Sequence, residues 1–302
     1  MLALVVKPSL NGKPKLSRLL ERLAELQPVV LGGSNVEDLR LEIQALSLQD
    51  PNLTVVACGG DGTIHLALNA LPDLSIPLAV VPMGTGNDFA RYVKLGKPEK
   101  AISTLLDSSL ASDASVKTVS MDMGSIELSD GSIHRFAGIA SCGFDAQVNE
   151  RANTYRGPAG TLKYLAALAV ELVHLNSRKL EVTCDAGDYL ADEFTLVAIG
   201  NTSSYGGGLR MCPTANAYDH EFEVTFVEKI SRRLLVRVLP KVFWGGHTKH
   251  RQVIQKVAQK VEIKGDEFPI YADGEQIGMG PAVITIHPGA MRVWQAQPTE
   301  TP

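Results

Sequence analysis

Paired cysteines and long apolar runs are both missing from this 302-residue chain. Cys58, Cys142, Cys184 and Cys212 stand far apart and form no C-x-x-C pair. Buried thiols of a cytosolic protein are therefore expected ahead of a disulfide frame or a zinc site. No stretch reaches the roughly 18–20 apolar residues that a membrane-spanning helix needs. The most apolar candidate, Leu162 to Leu175, is interrupted by Lys163, Glu171 and His174. The apolar opening Met1–Val6 stops at Lys7-Pro8, too short for the core of a secretory signal, and reads as a first buried strand. Two phosphate-binding signatures are absent as well. There is no G-x-x-x-x-G-K-[ST], which excludes a P-loop enzyme, and Gly84-Thr85-Gly86-Asn87-Asp88-Phe89 lacks the third glycine of a dinucleotide fingerprint.

The remaining composition is that of a globular protein. Hydrophobic residues make up 45% and charged residues 21%, enough apolar material for a sizeable core. At roughly 100–200 residues per domain, the length predicts two domains. The net charge of −4 hides a basic island: Lys229 to Lys264 carries ten Lys/Arg against one acid, Glu262. Such an island fits an anionic membrane surface or a phosphate-bearing substrate. It equally fits a solvated helix face beside a strand edge.

The first third alternates strand and helix patterns. Leu2–Val6, Pro28–Leu31, Leu53–Cys58 and Leu78–Val81 have strand character, and the third is a continuous apolar run of the kind buried on both faces of a parallel sheet. Lys15–Leu26, Val36–Leu46, Ile64–Leu71, Phe89–Val93 and Glu99–Leu106 read as helices, with Ser34 or Asn35 placed to cap the second. This predicts an open α/β sheet whose ligands bind beyond the carboxyl ends of its strands. From about Lys117 the pattern changes to short strands between turn signals: Thr118–Met123, Ile126–Leu128, Ile133–Ala140, Lys179–Cys184, Glu193–Gly200, Glu223–Val227, Val261–Lys264, Ile270–Ala272 and Ala282–His287. Helical insertions at Gly160–Leu175 and Arg232–Trp244 interrupt them. The expected division is an α/β domain over 1–116, onto which 289–302 can pack back, and an antiparallel β-sandwich over 117–288. The tail Pro298–Pro302 is expected to be disordered.

Two glycine-rich turns stand out. Gly59-Gly60-Asp61-Gly62-Thr63 follows the third strand and Pro82-Met83-Gly84-Thr85-Gly86-Asn87-Asp88-Phe89 follows the fourth, each ahead of a helix. Glycine lets backbone approach phosphate, and a helix N-terminus offers free N–H groups with partial positive charge. Each turn also holds an acid, Asp61 or Asp88. An acid beside a phosphate makes sense mainly with a cation such as Mg²⁺ between them, so the pair points to phosphoryl transfer.

These turns, with Arg91, Gly143-Phe144-Asp145-Ala146 and Asp273-Gly274-Glu275, appear in the order found in the diacylglycerol kinase catalytic-domain family, which this chain resembles over nearly its whole length. The resemblance implies an N-terminal three-layer α/β domain, a C-terminal antiparallel β-sandwich and a cleft between them. It implies an ATP- and Mg²⁺-dependent lipid kinase, with diacylglycerol the default acceptor and a sphingoid base, ceramide or polyprenyl alcohol open. By the same resemblance, Gly59, Gly60, Gly62, Thr63, Gly84, Thr85 and Asn87 bind nucleotide and Arg91 clamps the γ-phosphate; Lys7 and Ser34 stand where the chain departs from the family, Lys7 able to meet phosphate as a point charge and Ser34 to substitute in the nucleotide pocket. Asp61, Asp88 and Asp122 hold Mg²⁺ directly or through water. Asp219 holds a structural Mg²⁺, Asp145 meets the substrate head group, and Asp273 is the base that accepts the hydroxyl proton. Glu275 beside it adds negative charge, provided both are partly buried.

Each position has a plainer role open to it. Asp61 could be a turn residue, Asp88 a helix cap, Arg91 a surface arginine, Asp122 a strand-end acid and Asp273-Gly274 an ordinary hairpin turn. The chain also departs from the family pattern. Lys7–Lys13 replaces an Asn-Pro turn, Leu31-Gly32-Gly33-Ser34 replaces a threonine, and Asp219-His220 replaces Asp-Gly. A lipid alcohol and, transiently, the inner face of the membrane are the expected partners of a cytoplasmic protein. No nucleic-acid partner is expected, and a homodimer is left open. Two other readings compete: an NAD kinase-type phosphotransferase, which shares the first glycine turn, and a non-catalytic lipid- or nucleotide-binding regulator on the same fold.

Overall fold

The computed structural model describes residues 1–7, 10, 12, 14–110, 118–144, 148, 151, 170, 175, 177–185 and 187–295. The tail Pro298–Pro302 and, apart from Val170 and Leu175, the helix expected at Gly160–Leu175 lie outside the described residues. The chain forms two compact units, Met1–Met121 with Gly289–Pro302, and Asp122–Pro288.

In the first unit, β1 (Leu2–Val6), β2 (Val29–Val30), β3 (Thr54–Gly59) and β4 (Leu78–Pro82) pair in the order β2-β1-β3-β4, all parallel. Val293 adds a further parallel partner beside Leu78. Every residue of β3 and β4 is buried, as continuous apolar runs in a parallel sheet require. The connections carry α1 (Pro14–Arg22), α2 (Val36–Gln49), α3 (Asp61–Ala70), α4 (Asp88–Tyr92) and α5 (Pro98–Leu110). Asn35 caps α2 by accepting the N–H of Asp38 at 2.8 Å. The helix expected over Lys15–Leu26 ends at Arg22 and continues as a 3₁₀ turn, Ala24–Leu26.

The second unit is antiparallel. It contains most of β5 (Thr118–Leu128), then β6 (Ile133–Phe136), β7 (Ile139–Gly143), β8 (Arg178–Cys184), β9 (Asp188–Gly200), β10 (Phe222–Glu228), β11 (Val253–Ala258), β12 (Lys260–Ala272) and most of β13 (Glu275–Trp294). α6 (Arg232–Val238) and a 3₁₀ turn, Leu239–Trp244, occupy the expected second insertion.

Several expectations are corrected. Thr118–Met123 and Ile126–Leu128 form one strand, β5. Val261–Lys264 and Ile270–Ala272 are likewise one strand, β12; its register against β13 shifts between Ile263 and Phe268, across the exposed residues Lys264 to Glu267. Conversely, Ile133–Ala140 is two strands, because Ala137 and Gly138 turn their N–H groups to the Asp273 carboxylate. β11 had no counterpart in the sequence reading, since Gln255 and Val257 on its exposed side break the alternation.

β9 is buried on both faces. Val197 and Ile199 join one cluster with Phe136, Phe222 and Phe226, while Leu196 and Ala198 join another with Phe144 and Met211. The first contains the stacked rings of Phe136 and Phe222, 5.7 Å between centroids. All four cysteines are buried and none forms a disulfide, and burial pushes the Cys58 thiol up to about 12.

His247, 2% exposed, bonds the Met211 carbonyl through Nε2 at 3.2 Å. Burial holds His247 below the ordinary histidine value of 6.5, and burial with the nearby Arg135 does the same for His287. The unfolded chain therefore takes up protons more readily than the folded one. The stability these neutral rings contribute is complete above about pH 6.5 and is lost as pH falls through and below that value. Urea midpoints should drop between pH 7 and pH 5.5, and His247→Gln should show a shallower drop.

Candidate active site

In the first unit the candidate residues lie at the carboxyl ends of β1, β3 and β4. Gly60 caps α3, whose first turn contains Asp61, Gly62 and Thr63. The second turn packs directly on the first. A Cβ on Gly84 would lie 2.5 Å from the Gly60 Cα, and one on Gly59 would lie 2.1 Å from the Thr63 hydroxyl. Gly84 thus lets the two turns touch and Gly59 leaves room for Thr63 of its own turn, demands separate from any approach to phosphate. Asn87 closes the second turn at φ 53, its amide nitrogen donating to the Gly84 carbonyl at 2.9 Å and its amide oxygen accepting the Gly84 N–H at 3.1 Å.

Asp61 joins the turns. Its Oδ1 accepts the Phe89 N–H at 3.1 Å and its Oδ2 the Asp88 N–H at 3.3 Å, so one carboxylate satisfies two orphan donors at the start of α4. Asp88 is buried, and its Oδ1 accepts from Arg91 Nη2 at 2.5 Å. Arg91 also donates to the Gly86 carbonyl while its side chain stays 45% exposed. Lys7 joins this edge through its backbone N–H, which bonds Cys58 at 3.3 Å, and its side chain is exposed. Thr85 and Ser34 are exposed too.

In the second unit the candidate residues form a network around Asp273. Asp273 and Gly274 take φ 53 and φ 85, the left-handed pair of a type I′ hairpin between β12 and β13. The turn reading of Asp-Gly is therefore correct, and the carboxylate has work as well. Its Oδ1 accepts the Gly138 N–H at 2.8 Å and its Oδ2 the Ala137 N–H at 3.1 Å. Asn201 donates from Nδ2 to the carbonyls of Ala137 and Asp122, both at 2.8 Å. Its own Oδ1 is buried with no partner among the described residues, an acceptor that fits a bound water or hydroxyl. Glu275 is exposed, so the partly buried carboxylate pair expected beside Asp273 does not form.

Asp122 is a fully buried acid within β5, not a strand-end residue. Its Oδ2 accepts the backbone N–H of His220 at 2.8 Å, and its Oδ1 meets the His220 ring Nδ1 at 2.9 Å. His220 has φ 70. The turn thus keeps the left-handed backbone that glycine would give, held by Asp122. The neighbouring Asp219 is exposed and accepts the Glu221 N–H at 3.3 Å. Asp145 lies outside the described residues. The sequence reading missed Asn201 and His220. Gly200-Asn201-Thr202, polar residues at once after an apolar strand, was the available signal for the first.

Among the described residues no group of three or more His, Cys, Asp or Glu side chains converges on a metal position. Asp61 and Asp88, the carboxylates at the glycine turns, are donors of the type Mg²⁺ takes, an ion that keeps several waters and binds through one or two carboxylates plus substrate phosphates. The second unit also holds a narrow apolar cavity of about 50 Å³ under α6, lined by residues including Met211, Leu235, Leu239, Val242 and His247.

Two family profiles match the chain: diacylglycerol kinase catalytic domain over residues 11–119, and YegS C-terminal NAD kinase beta sandwich-like domain over residues 138–295. A diacylglycerol kinase of Mycobacterium tuberculosis is 34% identical over 278 residues, covering 92% of this chain and 87% of that one. One from Bacillus subtilis is 28% identical over 236 residues, 75% of this chain and 72% of the other. The crystal structure of a diacylglycerol kinase from Bacillus anthracis superposes with a TM-score of 0.70 at 19% identity, over 98% and 96% of the two chains. An Archaeoglobus fulgidus NAD kinase in complex with ATP gives a TM-score of 0.53 at 15% identity, over 97% and 92%. Both likenesses show a common fold.

Gly84→Ala should cost about 1–3 kcal/mol in urea unfolding, because its methyl group meets backbone that cannot yield. His220→Val, β-branched at a positive φ, should be about 1–3 kcal/mol less stable than His220→Gly in the same measurement.

Proposed function

Because the chain belongs to the diacylglycerol kinase catalytic-domain family of lipid kinases, we propose that it transfers the γ-phosphoryl group of ATP to the hydroxyl of diacylglycerol. The first unit binds the nucleotide. The N–H groups opening α3 and the Gly84–Asn87 turn face the phosphates, and Arg91 adds positive charge. Asp61 and Asp88 would hold Mg²⁺ directly or through water, and the ion would supply positive charge at the transferring group. Asp219 would serve a separate structural ion. The second unit receives the lipid, with Asp145 near the head group.

Asp273 takes the proton from the acceptor hydroxyl. That oxygen forms a bond to the γ-phosphorus as the bond to the β–γ bridging oxygen breaks, and ADP leaves. Positioning and electrostatics supply most of the acceleration in such transfers. Glu275 contributes only distant negative charge. The reading places the protein in the cytoplasm, meeting its lipid at the inner membrane face.

The single observation that carries the reading is the setting of Asp273. Two consecutive backbone N–H groups orient a half-buried carboxylate at a hairpin tip, and Asn201, which bonds the Ala137 carbonyl, keeps a buried amide oxygen with no partner among the described residues. An ordinary turn aspartate has no need of that support. A radiolabelled-ATP assay should offer diacylglycerol, a sphingoid base, ceramide, a polyprenol and NAD in mixed micelles. Label should pass to diacylglycerol. Transfer to NAD alone, or to no acceptor, would overturn the proposal.

A further inference from the structure

α6 and the 3₁₀ turn after it have two unlike faces. Inward, Leu235, Val238, Leu239 and Val242 roof the apolar cavity. Outward, Arg232, Arg233, Arg237 and Lys241 are exposed and, among the described residues, form no ion pair with a carboxylate. Between them Val236 is 53% exposed, Phe243 39% and Trp244 64%. The sequence holds no acid from Lys229 to Val261, so the cations have no local counter-charge. A folded chain has little reason to leave Trp244 in water unless something else covers it.

We propose that this outward face docks on an anionic lipid bilayer. Interspersed arginine and large apolar side chains on one exposed helix face match a bilayer boundary, where headgroup phosphates take the cations and Trp244 and Phe243 sink to the acyl edge. A nucleic acid would satisfy the cations but would leave Val236 and Phe243 without a purpose. Docking also acts on the cavity, and this part rests on the lipid-kinase reading. At about 50 Å³ the cavity is too narrow for an acyl chain. Its roof is the element the bilayer would hold, so docking draws α6 outward and admits the chain from the membrane side.

The test uses the full chain without nucleotide, sedimented with vesicles of phosphatidylcholine alone or of equal parts phosphatidylcholine and phosphatidylglycerol. Of the two tryptophans, Trp294 is buried at 7% exposure and Trp244 is exposed, so a blue shift in emission reports Trp244 leaving water. The wild type should bind the anionic vesicles with a blue shift, and salt should weaken binding. R237E/K241E should lose at least about tenfold in affinity, and F243A/W244A, followed by sedimentation, should lose part of the affinity, both with unchanged melting temperatures. Equal binding to phosphatidylcholine alone, full binding by R237E/K241E, or binding to a single-stranded oligonucleotide but not to vesicles would each overturn docking. R237E/K241E should also phosphorylate vesicle-embedded diacylglycerol about tenfold more slowly, yet match the wild type on a water-dispersed short-chain diacylglycerol. Equal loss on both substrates, or on neither, would overturn the coupling. Docking without phosphorylation of any lipid would leave docking in place and overturn the kinase reading instead.

Discussion

In each unit a single carboxylate captures two consecutive backbone N–H groups, and the candidate residues around it are arranged about those bonds. Asp61 holds the N–H groups of Asp88 and Phe89, and Asp273 holds those of Ala137 and Gly138. The first bond pair ties one glycine turn to the next and fixes where α4 begins. The second breaks what would otherwise be one strand into β6 and β7. A buried backbone donor without a partner costs about 1–3 kcal/mol, so neither carboxylate can leave without disturbing the local chain. An acid held this firmly keeps its position when a charged ligand arrives, which is what catalysis by preorganised charge asks of it.

Asp122 is held in a related way, with His220 supplying both donors. Replacing the family's glycine by histidine could have opened the turn after Asp219. Instead the imidazole and its own N–H clasp Asp122 with both oxygens, and the positive φ is retained. Asn201 links the two acids through backbone carbonyls. Asp273, Asn201, Asp122 and His220 thus form one connected polar network inside the second unit, where a change at one member is felt at the others.

The parallel half of the fold was readable because β3 and β4 are continuous apolar runs followed by glycine turns, and both signals are local. The second unit was less so. β5 looked like two strands because Gly124-Ser125 interrupts its apolar pattern, β12 because the exposed residues Lys264 to Glu267 do, and β11 was hidden by Gln255 and Val257 on its open face. Asp61 and Asp88 could be picked out from their glycine neighbours, whereas Asp273 came only through the family resemblance, since Asp-Gly between strands by itself signals a turn. Their partners could not be picked out, since Ala137 and Gly138 contribute only backbone N–H groups, which leave no mark in side-chain identity. Asn201 and His220 depend on contacts 79 and 98 residues away in sequence, beyond the reach of any short pattern.

The most direct measurement compares Asp61→Asn with Asp273→Asn, each titrated with ATP and then followed through a single turnover with diacylglycerol. Asp61→Asn should weaken ATP binding by at least about tenfold, since a neutral amide holds neither the turn nor a cation as a carboxylate does. Asp273→Asn should bind ATP as the wild type does, yet transfer its phosphoryl group at least about a hundredfold more slowly. Near-normal turnover by Asp273→Asn, or unchanged ATP affinity in Asp61→Asn, would contradict the division of labour between the two carboxylates.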